Sequence, residues 1–160
     1  MIFVTVGTHG QPFTRLLDAL ALLPLDELVV QHGPAPAPSG VRRAVPFMPY
    51  GEVLEHLEAA RAVVTHAGVG SILSCLRVGH RPIVVPRLRR HGEHVDDHQL
   101  DLLDRLAGLD RVVAVFDLAE LPQAVAAAPP RRDPEAQGER PLHGALRAAL
   151  RGATNGALSG

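Results

Sequence analysis

The stretch Ala62-Val63-Val64-Thr65-His66-Ala67-Gly68-Val69-Gly70-Ser71-Ile72-Leu73 decides the reading of this chain. Four residues rich in valine predict a strand over 62–65, and the apolar spacing from Val69 to Val78 predicts a helix. Between them lies a loop of small residues. Short β-branched runs and helical periods alternate in the same way on both sides. Upstream are a strand over Ile2–Val6, a helix over Pro12–Leu22, strands at Leu28–Gln31 and Arg43–Pro46, and a helix over Tyr50–Ala59. Downstream are a strand over Pro82–Val85, a helix near Val95–Leu106, a strand over Arg111–Phe116 and a helix over Leu118–Ala127. Runs such as Ile83-Val84-Val85 and Val112-Val113-Ala114-Val115 are continuously apolar, which suits parallel strands covered by helices on both faces. The expected fold is α/β, a Rossmann-like doubly wound parallel sheet.

Size and composition agree. The chain has 160 residues, 46% hydrophobic and 21% charged, with a formal net charge of -1. That suits one soluble domain able to bury a core without disulfides or metal. All 16 basic residues are arginine, so a Schiff-base lysine and the lysine of a P-loop are excluded. Near-neutral charge and 3% aromatic content argue against nucleic acid as a partner. The single Cys75 forms no intrachain disulfide and reads as a buried thiol. No segment approaches the ~18 to 20 apolar residues needed to cross a bilayer, and Met1–Val6 is too short for a signal-peptide core. A reducing, cytoplasmic location is expected. The Pro-rich stretch 33–40 reads as an exposed connector. Residues 1–128 form the expected domain, and 129–160 an appendage: a Pro/Arg/Gly-rich linker to about Pro141, then a short helix over Leu142–Arg151.

In an open parallel sheet ligands bind outside the carboxyl ends of the strands, so the loops that leave those ends carry the chemistry. Three are rich. Gly7-Thr8-His9-Gly10-Gln11-Pro12 leaves the first strand, where glycines allow a tight turn and the next helix can offer N–H groups to an anion; a plain strand-to-helix turn would look the same. Around His66, Gly68, Gly70 and Ser71 a phosphate can approach the backbone, although Gly68 and Gly70 could equally serve helix packing with Ser71 as a cap. The third loop, Pro86 to Gln99, gathers Arg87, Arg89 and Arg90 with His91, Glu93, His94, Asp96, Asp97, His98 and Gln99. Its arginines suit a diphosphate or an acidic partner, or simply a solvated face. His91, His94 and His98 form a possible metal set, the last two being one helical turn apart. There is no Gly-x-Gly-x-x-Gly and no acid at the end of the second strand, which argues against nicotinamide binding. The absence of Gly-x-Ser-x-Gly argues against a serine hydrolase.

Taken together and in order, these loops resemble the C-terminal, donor-binding domain of glycosyltransferase family 28, especially its free-standing soluble subunits in bacterial exopolysaccharide synthesis and dolichol-linked glycan synthesis. The likeness rests on Ile2-Phe3-Val4-Thr5-Val6-Gly7-Thr8-His9 with Gln11-Pro12-Phe13, on Thr65 to Leu73, and on Pro82 to Pro86 followed by His91-Gly92 and Asp96-Asp97-His98-Gln99. It implies the C-terminal half of a GT-B enzyme; two such domains need roughly 300 residues. The function implied is inverting transfer of a hexose or uronic acid from a UDP-sugar to a polyprenyl-diphosphate-linked saccharide. The partner implied is a membrane-associated acceptor-binding subunit, which would hold this chain at the inner face of the membrane. No cofactor and no metal are implied. By the same resemblance Gly68, Gly70 and Ser71 lie near the diphosphate and Asp97, His98 and Gln99 near the sugar, with His66 a further substrate-binding candidate. Thr8 and His9 face the cleft, His9 being the candidate catalytic contact. This chain departs from the family at two positions: Ser74 stands where a glutamate suited to the ribose diol is usual, and Gly10 replaces an acidic residue. Those departures leave a second reading, a non-catalytic nucleotide-sugar-binding or regulatory module that docks on a partner glycosyltransferase.

Overall fold

The structure is a computed structural model that describes residues 1–93 and 97–133. Among them six strands form one fully parallel sheet: β1 (Ile2–Thr5), β2 (Leu28–Gln31), β3 (Arg43–Val45), β4 (Ala62–His66), β5 (Ile83–Val85) and β6 (Val113–Ala114). The helices are α1 (Thr14–Ala19), α2 (Tyr50–Ala59), α3 (Val69–Val78), α4 (Asp97–Gly108) and α5 (Leu121–Ala126). The strand order is β3-β2-β1-β4-β5-β6. The chain winds outward one way from β1 and then restarts beside it at β4, with Ile2 level with both Leu28 and Ala62. The order therefore reverses between β1 and β4, where the loops diverge and leave a crevice.

Alternate residues of the central strands supply opposite faces of the sheet. Ile2, Val4, Val30, Val64, Ile83 and Val85 pack on one side with Leu16 and Leu20 and with Leu121 and Val125 of α5. Phe3, Val29 and Val63 pack on the other face against Leu57 of α2 and Cys75 and Val78 of α3, and Val84 meets Leu103 and Leu106 of α4. Every residue of β1, β2 and β5 is buried, as two-sided cover requires. The doubly wound Rossmann-like fold read from the sequence is the one observed.

The departures are local. The helix expected from Pro12 begins at Thr14 and tightens to a 3-10 turn over Leu20–Leu22 before Pro24. β6 is only two residues long because it is an edge strand with one neighbour, although the Val115 N–H still bonds the Val84 carbonyl at 2.9 Å. The last helix starts as a 3-10 turn over Leu118–Glu120, capped by Asp117, whose carboxylate accepts from the Ala119 N–H at 3.0 Å. The Pro-rich connector is not wholly exposed: Ala35 is buried and its carbonyl lies 2.8 Å from His32 Nδ1. The start of the expected linker packs on the domain, with the Arg132 N–H on the Gly79 carbonyl at 2.9 Å and Arg131 Nη1 on the Val78 carbonyl at 3.2 Å. The expected helix over Leu142–Arg151 lies outside the described residues, as does the rest of the linker.

Candidate functional site

A cleft of about 950 Å³ opens at the carboxyl ends of β1 to β4, at the point where the strand order reverses. Thr8, His9 and Gly10 line it from the first loop, His66, Gly68, Gly70 and Ser71 from the second, and Ser74 from one turn further along α3. Eight of the residues expected from sequence therefore come together. Asp97, His98 and Gln99 form the first turn of α4; Gln99 is half-buried and outside the cleft lining, and the side chains of Asp97 and His98 lie outside the described residues.

The first loop is shaped by a buried polar set. Thr5 Oγ1 donates to Gln31 Oε1 at 3.3 Å and accepts from the Gly7 N–H at 3.1 Å, and Gln31 Nε2 donates to the Gly7 carbonyl at 3.3 Å. Gly7 has φ of 75°, a left-handed conformation that suits glycine, and a Cβ there would collide with the His66 imidazole. The His66 ring is packed between Gly7 and Gly68, where a Cβ would collide as well. Burial, reinforced by the positive charges of Arg87 and His9, pulls the His66 pKa down to about 4, against a backbone hydrogen bond to Thr5 that raises it. At neutral pH His66 is an uncharged ring. Beyond the turn, His9 is exposed, and its Nδ1 accepts from the Gln11 N–H at 3.2 Å.

Helix α3 opens on Gly68, with no side-chain cap, and the Ile72 N–H bonds the Gly68 carbonyl at 3.0 Å. Ser71 is thus the third residue of the helix and not its cap. The N–H groups of the first turn have no acceptor within the helix, and the helix dipole puts partial positive charge at this wall. The two glycines differ: Gly68 is needed for the approach of His66, whereas a Cβ on Gly70 would meet nothing within 4 Å. Packing among the described residues gives no reason for glycine at position 70. Ser74 Oγ donates to the Gly70 carbonyl at 2.9 Å and lies 3.3 Å from Tyr50 Oη. Cys75 lies behind it, buried, its thiol pushed up to about 12 by desolvation, so it is neither a nucleophile nor a metal ligand at neutral pH.

The third loop departs from expectation at Arg87. Instead of facing an anion, its guanidinium is buried, donating from Nη1 to the Pro12 carbonyl and from Nη2 to the Gln11 carbonyl, both at 2.9 Å. Burial lowers its pKa, and the Glu93 carboxylate opposes that shift. Arg89 and Arg90 are exposed and outside the cleft lining. Of the suggested histidine metal set, His94 lies outside the described residues, while His91 Nε2 accepts from Arg90 Nε at 3.3 Å. Among the described residues no group of three or more His, Cys, Asp or Glu could hold a metal ion.

Gln31, Phe47, Met48 and Tyr50 also line the cleft and were not singled out from the sequence. The same rule that found the other loops, inspection of the residues just past each strand, finds the last three once it is applied to β3. Phe47 and Tyr50 are 60% and 57% exposed, unusual for aromatic residues and localised at the rim of the cleft. Among the described residues no helix is long and apolar enough to cross a membrane.

Comparison with known proteins identifies the family. A 31% identity over 122 residues relates the chain to the UDP-N-acetylglucosamine transferase subunit ALG13 of Yarrowia lipolytica, covering 66% of this chain and 60% of that protein's length. The model of the glycosyltransferase family 28 C-terminal domain matches residues 1–141, beyond the 128 residues over which the resemblance was read. The matched span holds the sheet, the crevice and the three loops, and the chain accordingly belongs to the glycosyltransferase family 28 C-terminal domain family.

Proposed function

We propose that this chain is the donor-binding subunit of a two-component inverting glycosyltransferase. It holds a UDP-sugar in the β1/β4 crevice while a membrane-associated partner presents a polyprenyl-diphosphate-linked acceptor, and a hexose or uronic acid is transferred. The observation that carries this reading is the wall formed by Gly68, Gly70 and Ser71: backbone N–H groups of a helix start facing a large cleft, with open space above Gly70. As the sugar–phosphate bond breaks, negative charge grows on the departing UDP. Preorganised N–H donors and the Ser71 hydroxyl stabilise it without a metal. His66, uncharged and hydrogen-bonded to the Thr5 backbone, adds no positive charge to the site and shapes the turn beside it. In this reading His9 and Thr8 face the reacting end of the donor, and Asp97, His98 and Gln99 contact the sugar from the start of α4. The acceptor hydroxyl needs a base, which the partner supplies. The family membership and the similarity to a UDP-N-acetylglucosamine transferase subunit support a UDP-sugar donor.

The second reading, a non-catalytic nucleotide-sugar-binding module, is favoured by the two departures, Ser74, a short neutral group at the position of an expected glutamate, and Gly10, in place of an acidic residue. Calorimetry with UDP, in chelator and with NADH as control, tests the proposal. Saturable, metal-independent binding of UDP but not NADH is expected. Absence of binding at millimolar UDP would sink the donor-site reading. Co-expression with the acceptor-binding partner, followed by transfer assays, separates the enzyme from the silent module.

A further inference from the structure

The loops after β1 and β5 flank the β4 loop in the sheet order, and they are joined to each other over it. Arg87 reaches across to the Pro12 and Gln11 carbonyls, with its guanidinium carbon 4.5 Å from the centre of the Phe13 ring. Arg15, in the first turn of α1, reaches back. Its Nη2 donates to the Pro86 carbonyl at 2.8 Å, and its Nε and Nη2 meet the two oxygens of Glu93 at 3.0 Å each. Glu93 Oε2 accepts in addition from the Leu88 N–H at 2.8 Å, so one carboxylate fastens both ends of its own loop to α1. Arg15 lies 5.4 Å from the same Phe13 ring, which is therefore flanked by two guanidinium groups. Fork-to-fork pairs in a partly buried setting hold their partners in one geometry.

The contacts continue to the cleft. Arg87 fixes the peptide on the C-terminal side of Gln11, and the peptide on its N-terminal side donates its N–H to His9 Nδ1. A neutral imidazole that accepts at Nδ1 carries its proton on Nε2. We propose that Arg87, held in place by the Arg15–Glu93 pair, is a positioning residue that fixes the orientation and tautomer of His9 through Gln11. The consequence for ligand binding rests on the reading of the cleft as a nucleotide site; the effect on the His9 ring does not.

Long-range ¹⁵N–¹H spectra of the histidine side chains, recorded on the neutral ring, test it. The Nε2–H tautomer of His9 is expected in the unaltered protein and a mixture of tautomers in Arg87→Lys, which keeps the charge but cannot bridge two carbonyls in the same way. Glu93→Gln, which preserves shape and can still accept from Leu88, is the second variant should Arg87→Lys fail to fold, and the same change in smaller degree is expected. An unchanged His9 signal in either folded variant overturns the proposal. Calorimetry with UDP gives the functional arm: about a five-fold loss of affinity in Arg87→Lys and no further loss when His9→Gln is added. Additive losses, or no loss, overturn the claim that Arg87 acts through His9. Failure of the unaltered protein to bind UDP refutes the nucleotide reading alone and leaves the tautomer result standing.

Discussion

Tyr50 Oη lies 3.3 Å from Ser74 Oγ across the mouth of the cleft, linking the start of α2 to the middle of α3. The Ser74 proton is given to the Gly70 carbonyl, which leaves the phenol as donor in the pair and Ser74 able to offer only lone pairs to anything else. A ligand hydroxyl arriving here can donate to Ser74 or exchange hydrogen bonds with Tyr50. Tyr50→Phe is therefore expected to weaken UDP binding by about five-fold, near 1 kcal/mol for one net hydrogen bond, and to leave binding of 2′,3′-dideoxy-UDP nearly unchanged. Because the Tyr50 side chain is largely exposed, unfolding stability should move by less than about 0.5 kcal/mol. Equal losses for both nucleotides in calorimetry would remove the diol from the explanation.

Ser74→Glu bears on the same pair. The Ser74 side chain is buried between the Gly70 carbonyl and Tyr50, so a longer anionic group has to displace the phenol before it can meet a ligand. UDP affinity is expected to stay level or fall. A strong gain would instead mark Ser74 as a degraded contact and favour the non-catalytic module.

The two glycines of the second loop separate packing from binding. Gly68→Ala drives a methyl into the His66 ring and is expected to destabilise the fold by about 1–3 kcal/mol in urea unfolding. Gly70→Ala has room and gains helix propensity, so stability should hold or rise by up to about 1 kcal/mol. UDP affinity should nevertheless fall, because the methyl occupies space above the helix start. Undiminished affinity in Gly70→Ala would mean that no phosphate approaches the backbone there.

The alternation of valine-rich runs with helical periods made the sheet and its winding legible, because parallel strands covered on both faces have little choice but continuous apolar sequence. The three loops were legible for the same topological reason. What the sequence did not show is which polar group faces a ligand and which serves the fold. Arg87 reads as an anion binder beside Arg89 and Arg90, yet it is spent on the carbonyls of Gln11 and Pro12, 75 residues away along the chain in the second case. Ser71 reads as a cap until the helix is seen to begin at Gly68. Gln31 looks like the failed acid of a dinucleotide site, and its amide instead shapes the Gly7 turn. Each of these depends on contacts between distant segments, which local pattern does not encode.

Burial of His66 has a consequence for stability against pH. Its pKa is lowered from an ordinary value near 6.5 to about 4 in the folded protein, so between those values the unfolded chain binds the additional proton. The contribution from the neutral ring is intact above about pH 6.5 and is lost progressively as pH falls toward 4. His80, lowered chiefly by burial and held by Nε2 at 2.6 Å from the Leu57 carbonyl, acts with the same sign. In urea unfolding at pH 7.5 and pH 5, His66→Gln should lose less stability on acidification than the unaltered protein, by on the order of 1–3 kcal/mol. Equal losses would show that the ring is not buried neutral.

Cys75 gives a readout of whether the floor of the cleft stays closed. It sits in α3 behind Ser74, 1% exposed, with its thiol pushed up to about 12, so both access and thiolate fraction oppose reaction at pH 8. A disulfide reagent should label the native protein no faster than it unfolds and label the urea-unfolded chain within minutes. Tyr50→Phe and Gly70→Ala, which alter the mouth of the cleft and its helix wall, should leave that protection intact, whereas Gly68→Ala, by displacing the His66 ring, should speed labelling in proportion to its loss of stability. Fast labelling of the native protein would mean that α3 lifts from the sheet in solution, and the wall formed by Gly68, Gly70 and Ser71 would then be too mobile to hold donors in advance of the reaction.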